Sequence, residues 1–355
     1  MNSDNPLNPT GDRTLRIAAV VCAAILTLAG LYLARSVMTP VVFALFIIAL
    51  VWPLQRRLKA RLPLLVAILL TAAVALFAIG LGCWLIVWGF GRIAQWVIDN
   101  SARLQGLYTH LADLLEQRGL YAAELVAEQF NMSWILGVIR GIGGGLQGIV
   151  TFAVVTFIFV ILGLLELEPL GRRLRRIGNG AFGTEAIDVA AEIADRLQTY
   201  MLVRFGMSVL TGLGFWAFTA LYGLDLSREW GVIAFVLNFI PFIGSFVATL
   251  LPTLFAAVQY QSVSSVVWVF IALNVIQFVV GSYIEPRVAG AAVSISPFMV
   301  LFAVFFWAML WGIAGAFIGI PILIALVSLC ARNPATRGIA VALSSDAAPD
   351  DLAKR

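Results

Sequence analysis

The sequence predicts an all-α, polytopic membrane helix bundle of about eight spans, with broken or re-entrant helices in its C-terminal half. Of its 355 residues, 61% are hydrophobic and only 12% are charged, against about 45 to 50% and 25% in a soluble domain. The apolar residues recur in runs of about 20, the length that crosses roughly 30 Å of hydrocarbon at 1.5 Å per residue. Pro, Gly and Asn interrupt two of these runs near the C-terminus, where a plain anchor needs no interruption. The chain therefore reads as one integral membrane domain over residues 1–355.

The first span covers 17–34 and follows Arg13 and Arg16. It is too long for a cleavable signal segment and no small-x-small site follows it, so it reads as retained. The remaining spans fall at 37–54, 63–88, 146–167, 204–223, 230–258, 263–283 and 297–329. Lys and Arg collect in alternate connections, at Arg56, Arg57, Lys59 and Arg61, at Arg172, Arg173, Arg175 and Arg176, and at Arg332, Arg337, Lys354 and Arg355. This bias predicts both termini in the cytoplasm, as for a protein of the inner-membrane type. Each arginine held against an anionic leaflet contributes about 1 kcal/mol.

Two segments lie outside the spans. In 89–145, Ile93, Trp96, Val97, Leu104, Leu107, Leu111 and Leu114 recur at helical spacing. An amphipathic helix results, resting on the membrane interface, on neighbouring spans or on another subunit. Gly141, Gly143, Gly144, Gly145 and Gly148 read as a flexible approach to the next span or as close helix packing. In 168–203, Ile187, Ala190, Ala194, Leu197 and Met201 form an apolar stripe, with Glu185, Asp188, Glu192 and Asp195 on the other side.

Several chemistries are excluded. Cys22, Cys83 and Cys330 all lie in apolar runs without CxxC spacing, which argues against disulfides and zinc. His110 is the only histidine, so neither HExxH chemistry nor a membrane-embedded Ser/His dyad has its base. The chain holds no Gly-Lys pair, hence no phosphate-binding loop. No catalytic residues, metal or cofactor are expected, and the net charge of +4 concerns orientation in lipid rather than nucleic acid.

The candidate site lies in the C-terminal half. Asn238, Pro241, Gly244 and Pro252 interrupt 230–258, and a proline inside a helix costs about 3 kcal/mol. A break near 241–244 leaves two arms, each too short to cross, and broken backbone at membrane depth needs a protein-lined or wet cavity. One kinked span is the alternative. Asn274 and Gln277 lie one turn apart in 263–283 and share a face. Glu285, Pro286 and Arg287 follow at the span end, with Glu285 and Arg287 forming either a local interfacial ion pair or a charge drawn into the bundle. In 297–329, Gly312, Gly315, Gly319 and Pro321 are positioned to make a second hairpin, with Gly315 and Gly319 as a small-xxx-small face. Arg204 reads as a charge at a span end.

NFIPFIG at 238–244, YIEPRVAG at 283–290, the stretch from Ser296 to Pro321 and WPLQRRL at 52–58 together resemble the signatures of the autoinducer-2 exporter family of bacterial permeases. That resemblance covers nearly the whole chain. It implies an eight-span inner-membrane protein, homo-oligomeric, whose relatives are associated with export of a small signalling molecule or with sodium/proton antiport. Phe242 stands where the family often has Tyr, which removes a hydroxyl. The expected function is secondary transport of a small polar solute by alternating access, with sodium/proton antiport and a non-transporting membrane scaffold as alternatives.

Overall fold

The computed structural model describes residues 9–100, 132–176, 181–289, 295–332 and 336–343. Its helices are α1 (Pro9–Leu33), α2 (Arg35–Lys59), α3 (Leu64–Asp99), α4 (Met132–Leu174), α5 (Ala181–Tyr222), α6 (Ser227–Leu237), α7 (Ile243–Tyr260), α8 (Val263–Phe278), α9 (Glu285–Ala289), α10 (Pro297–Arg332) and α11 (Arg337–Leu343). A π-helical turn at Val279–Ile284 joins α8 to α9. Among the described residues eight helices are long and apolar enough to cross a membrane, and no strand occurs. In hydrocarbon a helix satisfies its own backbone hydrogen bonds. Its apolar side chains then have no reason to turn inward: Leu26, Phe77, Leu202, Leu221 and Ile313 are all at least 70% exposed. Such a surface suits acyl chains and would aggregate in water.

Three boundaries depart from expectation. α3 continues past residue 88 to Asp99, so Ile93 and Trp96 belong to the third span's own helix, and the Trp96 ring lies 4.1 Å from that of Phe255 in α7. Residues 101–131 of that external segment, His110 included, lie outside the described residues. The glycine run at 141–148 is helical within α4, since glycine weakens a helix without forbidding it. The stripe from Ile187 to Met201 and the fifth span form one helix, α5; no Gly or Pro occurs between residues 184 and 205, so nothing ends the helix where hydropathy changes.

One end of the bundle collects the basic clusters. Lys59 at the end of α2 pairs with Glu168 of α4, and Arg332 at the end of α10 donates to Glu192 of α5 at 2.9 and 3.1 Å. Glu192 also takes Arg196 at 2.8 Å. Part of the expected acidic face therefore ties α10 to α5.

The two interrupted runs are both helical hairpins, and they enter from opposite ends. α6 has 11 residues and α7 has 18, lengths of about 16 and 27 Å. Their far ends return to one place: Gln259 accepts from the Asp225 amide at 2.9 Å and donates to the Gly223 carbonyl at 2.9 Å, while the Tyr260 hydroxyl donates to the Tyr222 carbonyl at 3.0 Å. Trp230 and Phe255 meet edge to face across the arms at 5.2 Å. At the tip, Phe242 has φ 61° and ψ −61°, and the Ile243 amide donates to the Pro241 carbonyl at 2.7 Å. This is a γ-turn of the rare, strained kind. Pro252, expected to interrupt the run, sits buried inside a continuous α7.

α10 folds back at Gly312, whose φ of 66° and ψ of −147° suit glycine alone. Its arms, 297–311 and 313–332, pack so closely that a Cβ on Gly315 would fall on the Trp307 carbonyl, and one on Gly319 would lie 2.9 Å from the Ala303 carbonyl oxygen. Both arms return to the basic end, where the Ser296 amide donates to the Leu343 carbonyl at 3.1 Å and Arg332 meets Glu192. The second hairpin expected from Gly312 and Gly315 is present, and Pro321 lies buried within its returning arm.

Candidate functional site

The hairpins meet inside the bundle. Phe239, next to the tip of the first, stacks on Phe317 of the second with centroids 5.8 Å apart, and Phe317 in turn stacks on Phe43 of α2. Beside this contact lies a cavity of about 650 Å³, within the range of small-molecule sites. Asn238, Pro241, Phe242, Ser245 and Thr249 of the first hairpin form one wall. Asn274, Gln277 and Glu285 form another, and Tyr200 and Arg204 of α5 a third. Val300 and Ile320 of α10 close it. Five of the residues singled out by sequence, Asn238, Pro241, Asn274, Gln277 and Glu285, thus share one chamber although up to 47 positions separate them.

The polar groups are held in different ways. Asn238 is buried and its Nδ2 donates to Ser208 Oγ at 3.2 Å, which fixes the base of the tip against α5. Asn274 Nδ2 donates to the Phe270 carbonyl at 2.7 Å, leaving its amide oxygen as an acceptor. Gln277 Nε2 is buried without a partner. Gly244 does not line the chamber; it lets the tip close, since a Cβ there would fall on the Leu237 carbonyl. Gly315 does the same for the arms of the second hairpin, whereas Gly312 supplies the positive φ of its turn. Pro252, Pro286 and Arg287 lie off the cavity.

The expected local pair between Glu285 and Arg287 does not form. Arg287 lies over the Tyr283 ring at 4.0 Å, a cation–π contact. Glu285 instead accepts from Arg204 Nη1, at 3.0 Å to Oε1 and 3.2 Å to Oε2. The π-helical turn explains the difference, because its wider winding alters which face Glu285 presents just after it. Arg204, read from sequence as a span-end charge, is 7% exposed. It stands about 9 Å along α5 from Gln198, whose Nε2 donates to the Ala49 carbonyl within α2. A signal for it existed: Glu285 is the only acidic residue between positions 230 and 345, and a lone acid among spans calls for a basic partner.

A bundle in which two broken-helix hairpins meet beside a protein-lined chamber is the architecture of a membrane transporter. Comparison with known proteins gives the family: residues 21–332 match the description "AI-2E family transporter", and the chain belongs to that family. It is 23% identical over 333 residues to "AI-2 transport protein TqsA" of Escherichia coli strain K12, covering 93% of this chain and 96% of the relative. A Haemophilus influenzae protein called "Putative transport protein" is 26% identical over 330 residues, covering 89% and 92%. A Borreliella burgdorferi protein of the same title is 33% identical over 175 residues, and there the match spans about half of each chain, 49% and 48%. The protein is thus a membrane transporter rather than an enzyme.

Proposed function

We propose that the protein exports a small polar solute across the bacterial inner membrane by alternating access, both termini lying in the cytoplasm, with the two hairpins as the parts that open and close the chamber. The single observation that carries this reading is the meeting of oppositely inserted hairpins beside a cavity of about 650 Å³ whose largely apolar walls include Arg204, Asn238, Asn274, Gln277 and Glu285. The first hairpin's tip borders the chamber through the strained turn at Phe242, so a small change there would be felt along a whole arm. The likeness to a protein titled for AI-2 transport makes a signalling molecule of that size a fitting cargo. Driving energy comes from an ion gradient or from the solute's own gradient, since the sequence carries no phosphate-binding loop.

The test is efflux from proteoliposomes loaded with labelled small metabolites and signalling molecules, under imposed proton and sodium gradients. Flux of at least one solute, lost when Asn238→Leu is combined with Pro241→Ala, supports the reading. Sealed vesicles through which nothing moves, or a double variant with full flux, overturn it. Sodium/proton exchange is the second reading, favoured by the Glu285 carboxylate in the chamber wall. Unchanged exchange in Glu285→Gln removes Glu285 as its coupling group.

A further inference from the structure

Resting on the transport reading, we infer the class of solute: a small oxyanion, carboxylate or phosphate, that takes Arg204 in exchange for Glu285. Three observations support this. First, Arg204 is under-used. Nη1 alone serves both carboxylate oxygens, whereas a guanidinium matched to a carboxylate uses two nitrogens in parallel. Its Nε is buried and makes no hydrogen bond.

Second, the other orphan in the chamber wall is also a donor. Gln277, on the wall that also carries Glu285, has its Nε2 buried without a partner. Unmade bonds of buried donors are costly, and two residues of one cavity wall that each hold such a donor in reserve fit a ligand that brings acceptors. A cation or a donor-rich solute would leave both unsatisfied. Third, the pair is asymmetric. The Arg204 side chain is 8% exposed and that of Glu285 is 30% exposed. The acid is the more open of the two, and the base meets water only where it borders the chamber. A second anion added to a neutral buried pair is disfavoured at low dielectric, so the oxyanion replaces Glu285 rather than joining it. The π-helical turn at Val279–Ile284 supplies the slack for Glu285 to swing away.

Binding separates this inference from transport itself. The full chain is placed in phosphatidylcholine vesicles, and equilibrium binding of labelled inorganic phosphate and lactate is measured, with no gradient. Glu285→Gln, which removes the internal competitor, should tighten oxyanion binding about tenfold or more. Arg204→Gln should weaken it at least tenfold, and Arg204→Lys should restore part of the loss. Gln277→Leu, which leaves the ion pair intact and so guards against misfolding of the charge variants, should weaken binding severalfold. Repeating the measurement in vesicles containing phosphatidylglycerol distinguishes a lipid headgroup from a free solute. Competition by the lipid with loss of soluble-anion binding assigns the site to headgroups and overturns the solute form of the proposal. Equal weakening by Glu285→Gln and Arg204→Gln, or binding by neither probe, overturns it entirely, while solute flux in proteoliposomes would still uphold the transport reading.

Discussion

Replacing Gly315 with alanine tests the second hairpin with a single methyl group. A Cβ at Gly315 would lie on the Trp307 carbonyl oxygen, 2.6 Å from its carbon and 3.0 Å from Trp311 Cβ. Carbon atoms prefer separations of about 3.5 to 4.0 Å, so the arms must part by about 1 Å, and the obstacle is backbone rather than a rotatable side chain. Overpacking of this kind costs about 1 to 3 kcal/mol, and the rigid obstacle puts Gly315→Ala toward the upper end. Thermal unfolding of the purified protein in detergent, followed by tryptophan fluorescence, should show a midpoint lower by on the order of 5 °C. Gly206→Ala is the internal control. It sits in α5 with nothing within 4 Å of its Cβ position, and alanine there should be neutral or raise stability by about 0.5 to 1 kcal/mol. Equal midpoints for the two variants would refute the close crossing of the arms.

Gly244→Ala should behave like Gly315→Ala, since its Cβ would lie 2.6 Å from the Leu237 carbonyl carbon; the same melting experiment checks it. Asn238→Leu removes the bond to Ser208 and should lower stability by about 0.5 to 1.5 kcal/mol, read as a melting shift alongside reduced flux. Arg332→Ala breaks an exposed pair with Glu192, whose partners are 39% and 31% exposed, and should change stability by less than about 1 kcal/mol. Arg204→Met leaves Glu285 unpaired in the chamber wall and, with that carboxylate 30% exposed, should cost about 1 to 3 kcal/mol, with the midpoint partly recovered in the double variant carrying Glu285→Gln.

The bilayer made most of the fold legible. Runs of apolar residues locate the spans because hydrocarbon admits few alternatives to a helix. The glycine and proline interruptions at 238–244 and at Gly312 marked the tips because those residues act through local backbone geometry. Direction of return was less accessible. That α7 runs back to the end where α6 began depends on Gln259 and Tyr260 meeting residues 222–225, contacts between positions about 35 apart. The Arg204–Glu285 pair escaped for a related reason. Hydropathy placed Arg204 at a boundary, whereas α5 continues unbroken past it, and an 81-residue separation leaves no periodic trace. The helices run on past the span limits near residues 88 and 203 because hydropathy marks the edge of lipid, while a helix stops only at a residue that ends it.

Opposed insertion of the hairpins is tested most directly by labelling with a membrane-impermeant thiol reagent. With Cys22, Cys83 and Cys330 replaced by serine, single cysteines are introduced at Asp225 and Gln261, the two ends of the first hairpin, and at Pro297 and Arg332, the two ends of the second. Intact cells and inside-out vesicles should show Asp225→Cys and Gln261→Cys reacting from one side, and Pro297→Cys and Arg332→Cys from the other. Labelling of Asp225→Cys and Gln261→Cys from opposite sides would mean that the run crosses the bilayer, and the chamber walled by Asn238, Pro241 and Phe242 would not exist.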